Sequence, residues 1–133
     1  MQRLTGEHFE AIQNIKARQK AFLDYIAGFY NSNNRGTDAF GTCVYRASGT
    51  SPGCAIGQFL SPDLADRCAG SITTVFNNEK HYADVPAWMK EMGLQFLIHV
   101  QVLHDRSKHW DEKGLTALGR MAYQEITVDF CLI

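Results

Sequence analysis

The strongest constraint on the fold is the segment that follows Gly93, because a helix through it would be apolar on nearly every side. Its apolar residues are Leu94, Phe96, Leu97, Ile98, Val100, Val102 and Leu103. A helix without a polar face must be surrounded by protein, since water would otherwise contact its apolar side chains. The sequence therefore predicts a central apolar helix near residues 93–105, and the rest of the chain must pack around it.

The chain is long enough to supply that surrounding protein. It has 133 residues, of which 45% are apolar, and this combination suffices to bury one core. The sequence shows neither an internal repeat nor a low-complexity linker. We therefore expect a single domain over residues 1–133.

Periodic apolar residues predict helices on both sides of the central one. Thr5 is a candidate N-cap for the first of them. Apolar residues then recur at three- and four-residue steps, at Phe9, Ile12, Ile15, Phe22, Tyr25, Ile26, Phe29 and Tyr30. The polar interval from Lys16 to Lys20 permits one long helix or a break into two. Its basic side chains, Arg18 among them, are expected to face solvent.

Further helices are predicted towards the C-terminus. Residues 61–63 supply a cap, a proline and a carboxylate for a short helix, and residues 85–86 begin another. Residues 71–76 are compatible with a helix or a strand. A last helix is predicted by the stripe of Leu115, Leu118, Ala122 and Ile126. The apolar tail, residues 128–133, is expected to dock on the fold or on a second copy in a homodimer.

Two short strands are predicted nearer the middle of the chain. Thr42 to Arg46 and Cys54 to Gln58 flank residues 47–53, which are almost wholly turn formers. A β-hairpin is the simplest interpretation. The predicted fold is thus a small, helix-dominated α+β domain with one hairpin packed on the central apolar helix.

Composition and charge disfavour several classes of protein. The formal net charge is -1 and no long run of like charge is present, so nucleic acid is not favoured as a partner. Neither a signal peptide nor an apolar stretch long enough for a membrane span is visible. We expect a cytoplasmic protein without membrane contact, and its four cysteines are expected to be reduced thiols. The cysteines form no C-x-x-C pair, so a structural zinc site is not expected.

Three motifs occur in order along the chain. They are Cys43-Val-Tyr-Arg46, Cys54-Ala-Ile-Gly57 and Leu103-His-Asp105, and Trp110 follows them. This order resembles a group of small uncharacterised proteins that phages and prophages encode, and the resemblance covers residues 41–122. It implies a viral accessory protein that works in the cytoplasm of the host cell. The group brings no activity to carry over.

The same residues supply a candidate ligand site. Arg46 can offer a bidentate guanidinium to an anion, and Trp110 can offer a ring face for stacking. Tyr45, His104 and Asp105 would line the same pocket. The predicted ligand is small and anionic, or nucleotide-like, and no cofactor is expected.

The end of the predicted central helix also allows a structural interpretation. His104 and Asp105 are adjacent, so their side chains are expected to diverge by about 100° and not to pair with each other. A carboxylate near a helix C-terminus is unfavourable, so Asp105 is expected to need a cationic partner such as Arg46 or Arg106. In the structural interpretation, His104 or Asp105 only ties the following loop to the hairpin.

An enzymatic alternative uses Cys54 as a nucleophile. Its setting resembles that of the NlpC/P60-type cysteine peptidases, with His104 or His99 as the base. Gly53 stands where those peptidases usually have an aspartate, and an inert, buried Cys54 is the favoured interpretation. A metal site from His99, His104 and His109 is not favoured, because steps of five residues place successive side chains about 140° apart on a helix.

These observations favour a protein that acts by binding rather than by catalysis. It would sequester a small host-derived ligand or block a host protein. A cysteine-dependent hydrolase is the alternative, and a structural protein that self-associates through its tail is the third hypothesis.

Overall fold

The computed structural model describes residues 3–35, 54–67 and 72–133. Those residues form eight α-helices and one two-stranded antiparallel sheet, which confirms the predicted helix-dominated α+β class. The helices are α1 (Gly6–Glu10), α2 (Ile15–Phe29), α3 (Pro62–Arg67), α4 (Ile72–Asn77), α5 (Glu79–Asp84), α6 (Ala87–Lys90), α7 (Leu94–Asp105) and α8 (Ala117–Asp129). The strands are β1 (Trp110–Asp111) and β2 (Gly114–Leu115), and 3-10 turns span Gly57–Phe59 and Ser107–His109.

Helix α7 lies at the centre of the fold, as its apolar sequence predicts. Phe96, Leu97, Val100 and Leu103 are buried on it, and α2, α4 and α8 pack against it. The helix begins after Gly93, whose φ of 90° favours glycine. The position of α7 fixes which of its residues can face solvent, and Val102 is one that does.

The N-terminal apolar stripe is divided into α1 and α2. Asn14 starts α2, because its side-chain oxygen accepts a hydrogen bond from the Ala17 N–H at 2.9 Å. The break therefore precedes the polar interval from Lys16 to Lys20 instead of falling within it. Both ends of that interval lie inside α2.

The expectation that Arg18 faces solvent is wrong. Its side chain is buried, and Nε donates to the carbonyl oxygen of Ile12 at 2.8 Å while Nη1 donates to that of Trp88 at 2.9 Å. Nη1 also lies 3.2 Å from a carboxylate oxygen of Glu91. A guanidinium can be buried when its fixed donors meet acceptors in this way. Arg18 thus joins α2 to α6.

The hairpin that the structure describes is not the predicted one. Residues 54–58 form turns and the start of a 3-10 segment, so the prediction of a strand there is wrong. The first predicted strand, Thr42 to Arg46, lies outside the described residues. The observed hairpin pairs Trp110 with Leu115 and Asp111 with Gly114.

Local turn chemistry explains why the hairpin forms at this position. The side chain of Asp111 accepts a hydrogen bond from the Lys113 N–H at 2.8 Å, and Gly114 has a φ of 128°. An aspartate that bonds its own turn and a glycine at positive φ are typical of tight hairpins. The hairpin joins the C-terminal end of α7 to the N-terminal end of α8.

The short helices agree with the sequence in part. Helix α3 begins as predicted, with the hydroxyl oxygen of Ser61 accepting the Leu64 N–H at 3.2 Å. Residues 72–76, for which helix and strand were both open, are helical. Helix α5 was not predicted, and Asn78 caps it by accepting two backbone N–H groups. Asparagine supplies such caps because its side-chain oxygen satisfies free donors in the first turn.

The apolar tail docks on its own chain. The Phe130 ring lies 5.4 Å from that of Phe96 between centroids, and Leu132 is buried and donates its N–H to the Thr127 carbonyl at 2.8 Å. Ile133 is 95% exposed. Docking on the fold is thus confirmed, and a homodimer through the tail stays a prediction. Among the helices that the structure describes, none has the length and apolarity that crossing a membrane requires.

Candidate functional site

The predicted site residues fall into three locations. Tyr45 and Arg46 lie outside the described residues. His104, Asp105 and Trp110 lie at or just beyond the C-terminal end of α7. The other catalytic candidates lie elsewhere in the chain, Cys54 directly before the turn at residues 55–56 and His99 in the middle of α7.

The last carbonyl groups of α7 are capped by side chains. The indole Nε1–H of Trp110 donates to the carbonyl oxygens of Leu103 and His104, at 3.1 and 2.9 Å. The imidazole Nδ1–H of His109 donates to the Leu103 carbonyl oxygen at 2.9 Å. These carbonyls have no partner within the helix, so side-chain donors satisfy them. Trp110 is buried and has this structural role, while its stacking with a ligand stays a prediction.

A guanidinium that the sequence did not suggest completes the cap, while Arg46, one of the two suggested partners of Asp105, lies outside the described residues. Arg35 donates through Nη1 to the carbonyl oxygens of His104 and Asp105, at 3.1 and 2.7 Å. Positive charge at this position is favourable because carbonyl dipoles point out of a helix C-terminus. Burial lowers the pKa of Arg35, and the Asp105 carboxylate opposes that shift. Asp105 therefore has a cationic neighbour in Arg35.

The prediction that His104 and Asp105 do not pair is wrong. Nδ1 of His104 lies 2.8 Å from Oδ1 of Asp105, and Nε2 of Gln101 donates to the same oxygen at 2.7 Å. The angle of about 100° describes where the side chains leave the helix axis, and two rotatable bonds in each side chain can close it. Asp105 is the last residue of α7, so no following turn restricts its carboxylate.

The His104 imidazole is buried and neutral. Burial lowers its pKa, and the hydrogen bond and charge of Asp105 act in the opposite direction. Nδ1 carries the proton towards Asp105, because a carboxylate oxygen can only accept. Nε2 is then an unprotonated acceptor, and it is buried where none of the described residues donates a hydrogen bond to it.

Gln101 connects this helix end to the second of the three sequence motifs. Its Oε1 accepts the backbone N–H of Ile56 at 3.3 Å, and its Nε2 bonds Asp105 as described. The segment from Cys54 to Gln58 therefore contacts the end of α7, although it is not a strand.

Two of the three catalytic candidates are shielded from solvent. Cys54 is fully buried and disulfide-bonded, so the expectation of a reduced thiol is wrong for this residue. His104 is also fully buried. His99 is exposed, and its Nδ1 donates to the Gln95 carbonyl oxygen at 2.7 Å. A nucleophilic role for Cys54 would require reduction of the disulfide and access for a substrate.

A groove lies between α7 and α8. Its volume is about 960 Å³. Apolar side chains from both helices line it, and three of them are strongly exposed: Val102 is 40%, Leu118 is 53% and Met121 is 61% exposed. Exposed apolar side chains that converge on one groove indicate a binding surface.

Charged residues stand at opposite ends of the groove. Arg106 and Lys108 line the end near the start of α8, where the Thr116 hydroxyl donates to the Lys108 carbonyl oxygen at 2.6 Å. Glu125 and Asp129 line the other end, on the C-terminal half of α8. We call these the basic end and the acidic end of the groove.

The sequence did not reveal this surface. Leu118 was assigned to the core stripe of α8, and the structure exposes it. Met121 was the signal in the sequence that could have indicated an exposed apolar surface. Leu118, Met121 and Ile126 together span more of the helix circumference than one buried face needs. Of the predicted site residues, His99 and Asp105 line the groove, whereas His104 and Trp110 do not.

Comparison of the chain with family models, with curated proteins and with solved structures finds no match. The resemblance to phage-encoded proteins thus depends on the sequence motifs alone.

Proposed function

We propose that the protein acts by binding another protein, and that the groove between α7 and α8 receives a helical segment of that partner. The observation that carries this proposal is the exposure of Val102, Leu118 and Met121 on two adjacent helices. Filling the groove with the apolar face of a helix would remove these side chains from water, at about 25 cal/mol per Å² of apolar surface. Insertion of an amphipathic helix into a groove is a recurrent mode of recognition.

The lining of the groove favours a helix over a small nucleotide-like ligand. Among the described residues that line it, the ring side chains are His99 and His109, so no Phe, Tyr or Trp face is offered to a base. Pockets for small molecules usually combine enclosure with convergent polar groups. Here the charges stand at the two ends of a groove with an apolar centre, which suits an extended amphipathic partner.

Binding is also favoured over the hydrolase alternative. The thiol of Cys54 is taken up in a disulfide, and His104 is shielded from solvent. A catalytic cysteine needs an accessible thiolate beside its base. The viral accessory role that the motif order implies remains part of the proposal.

Site-specific photocrosslinking tests the proposal. A photoreactive p-benzoylphenylalanine is placed at position 121 in the groove, and in a control chain at position 82, where Tyr82 is exposed on α5. In cells that produce the full chain, position 121 is expected to give adducts with a polypeptide, and position 82 is not. Leu118→Glu in the same chain is expected to abolish the adducts, because it places a carboxylate in the apolar part of the groove.

The small-ligand alternative is tested in parallel by thermal unfolding with a panel of nucleotides. We expect no stabilisation, whereas a bound nucleotide at a hundred times its Kd would add about 2.7 kcal/mol. Stabilisation by a nucleotide, together with equal crosslinking from positions 121 and 82, would overturn the proposal.

A further inference from the structure

The groove-facing residues of α8 form a single stripe along the helix. Leu118, Met121, Ala122, Glu125 and Asp129 are spaced at steps that repeat one face of a helix, and all of them line the groove. The stripe is about 16 Å long, from the rise of 1.5 Å per residue. It is therefore long enough to contact a helix of three turns.

The charges on this stripe and beside it change sign from one end to the other. Arg106 and Lys108 are exposed beside the N-terminal end of α8, and Glu125 and Asp129 are exposed on its C-terminal half. Asp105 is the one carboxylate among the described residues at the basic end, and it is half-buried and bonded within its own chain. The groove thus has a positive end, an apolar centre and a negative end.

A surface with this distribution is complementary to itself when a copy is turned by a two-fold rotation. If two α8 helices cross antiparallel, the acidic end of each copy meets the basic end of the other. The exposed Met121 side chains meet at the centre. An interface of this kind uses the same patch on both subunits, as in most two-fold dimers. A parallel arrangement would instead place like charges together.

We propose that the helix that fills the groove is α8 of a second copy, so that the chain forms a two-fold symmetric dimer through α7 and α8. This inference depends on the proposed function, because it names the partner of the same groove. It differs from a dimer through the tail, since Phe130 and Leu132 already pack within their own chain.

Charge reversal gives a decisive test with the full chain. The first variant carries Arg106→Glu and Lys108→Glu, and the second carries Glu125→Lys and Asp129→Lys. In either variant alone, both ends of the groove have the same sign, so we expect dimerisation at least about 100-fold weaker than in the unchanged protein. In an equimolar mixture, opposite charges meet at both contacts of the mixed dimer, and dimerisation is expected to return.

Sedimentation equilibrium measures these outcomes, and circular dichroism checks that each variant is folded. Met121→Glu provides a second variant, which should abolish the dimer without reversing any existing charge. A wild-type chain that remains monomeric overturns the inference. A dimer that neither charge variant weakens, or two weakened variants that do not recover on mixing, also overturns it.

The failure of this inference can be distinguished from failure of the proposed function. A monomeric wild-type chain that still gives adducts from position 121, suppressed by Leu118→Glu, retains a protein-binding groove with a different partner. A monomeric chain without such adducts contradicts both proposals.

Discussion

Gly119 lies in the first turn of α8, where the helix passes the backbone carbonyl of His109. A methyl group at this position would overlap the His109 carbonyl oxygen and would lie 2.7 Å from Cδ2 of Leu115. Gly→Ala inside an open helix stabilises by up to about 1 kcal/mol. At this position we expect Gly119→Ala to destabilise instead. It should lower the free energy of unfolding by about 2 kcal/mol, the usual cost of overpacking.

Urea denaturation measures this change in the free energy of unfolding. Gln124→Ala is the matched control, because Gln124 is exposed on the same helix and its replacement should stay within about 0.5 kcal/mol. Equal stability of Gly119→Ala and the unchanged protein would contradict the close approach of α8 to His109.

His104 makes stability depend on pH in a defined direction. Burial lowers its pKa in the folded protein, while the unfolded chain should titrate near the reference value of about 6.5. Below that value the unfolded state binds more protons, so stability falls as the pH decreases. The contribution is fully present above about pH 6.5 and is lost as the pH falls towards the lowered folded pKa.

We therefore expect His104→Gln to reduce the loss of stability on acidification from about pH 7.5 to 5.5. Urea denaturation at several pH values measures this loss of stability for each variant. His8→Gln, which changes an exposed histidine on α1, is the control. An NMR titration of His104 in the unchanged protein checks the cause directly. An ordinary titration midpoint there, with equal pH dependence in both variants, would refute the argument.

At the scale of elements, periodicity in the sequence predicts the long helices and fails for the short strands. Helix α7 and helix α8 are long enough for an apolar pattern to appear. Each strand of the observed hairpin has two residues, so no alternation can be recognised. The signal that remained was local, an aspartate and a glycine in the turn at residues 111–114.

The candidate site was less predictable because it depends on tertiary contacts. Arg35 contacts the end of α7 from a position that no motif marks, and Gln101, within α7, joins Asp105 to the backbone of Ile56. The apolar character of Leu118 indicates burial in a sequence, but whether it faces the core or a groove depends on how α7 and α8 pack. Sequence reasoning therefore found the helix end and missed the surface beside it.

The tail after α8 provides a test of docking at the level of an element. Leu132 is buried against the fold, and its neighbour Ile133 is almost fully exposed. We expect Leu132→Ala to lower the free energy of unfolding by about 2–3 kcal/mol, the cost of removing a buried leucine side chain. Ile133→Ala should change it by less than about 0.5 kcal/mol. Equal effects in thermal or urea denaturation would show that the tail is not docked.

For the molecule as a whole, the disulfide at Cys54 and the expected cytoplasmic location favour opposite redox conditions. Disulfides persist in oxidising compartments and are rare in the cytosol. Cys54 is disulfide-bonded and Cys131 is a free, exposed thiol. Stability in the presence of a reductant thus decides whether the fold depends on the bond.

We expect reduction to lower the free energy of unfolding by about 2–4 kcal/mol, since a disulfide restricts the unfolded chain. Urea denaturation of Cys131→Ser with and without a thiol reductant measures this, because that variant removes the exposed thiol that could exchange with the disulfide.

The same reduced sample tests the hydrolase alternative. A buried thiol is a poor nucleophile because loss of solvent disfavours the thiolate, so the reduced Cys54 should react slowly with an alkylating reagent until the protein unfolds. Rapid alkylation of Cys54 in the folded, reduced protein would show that its thiol can be reached, and the argument against catalysis would then fail.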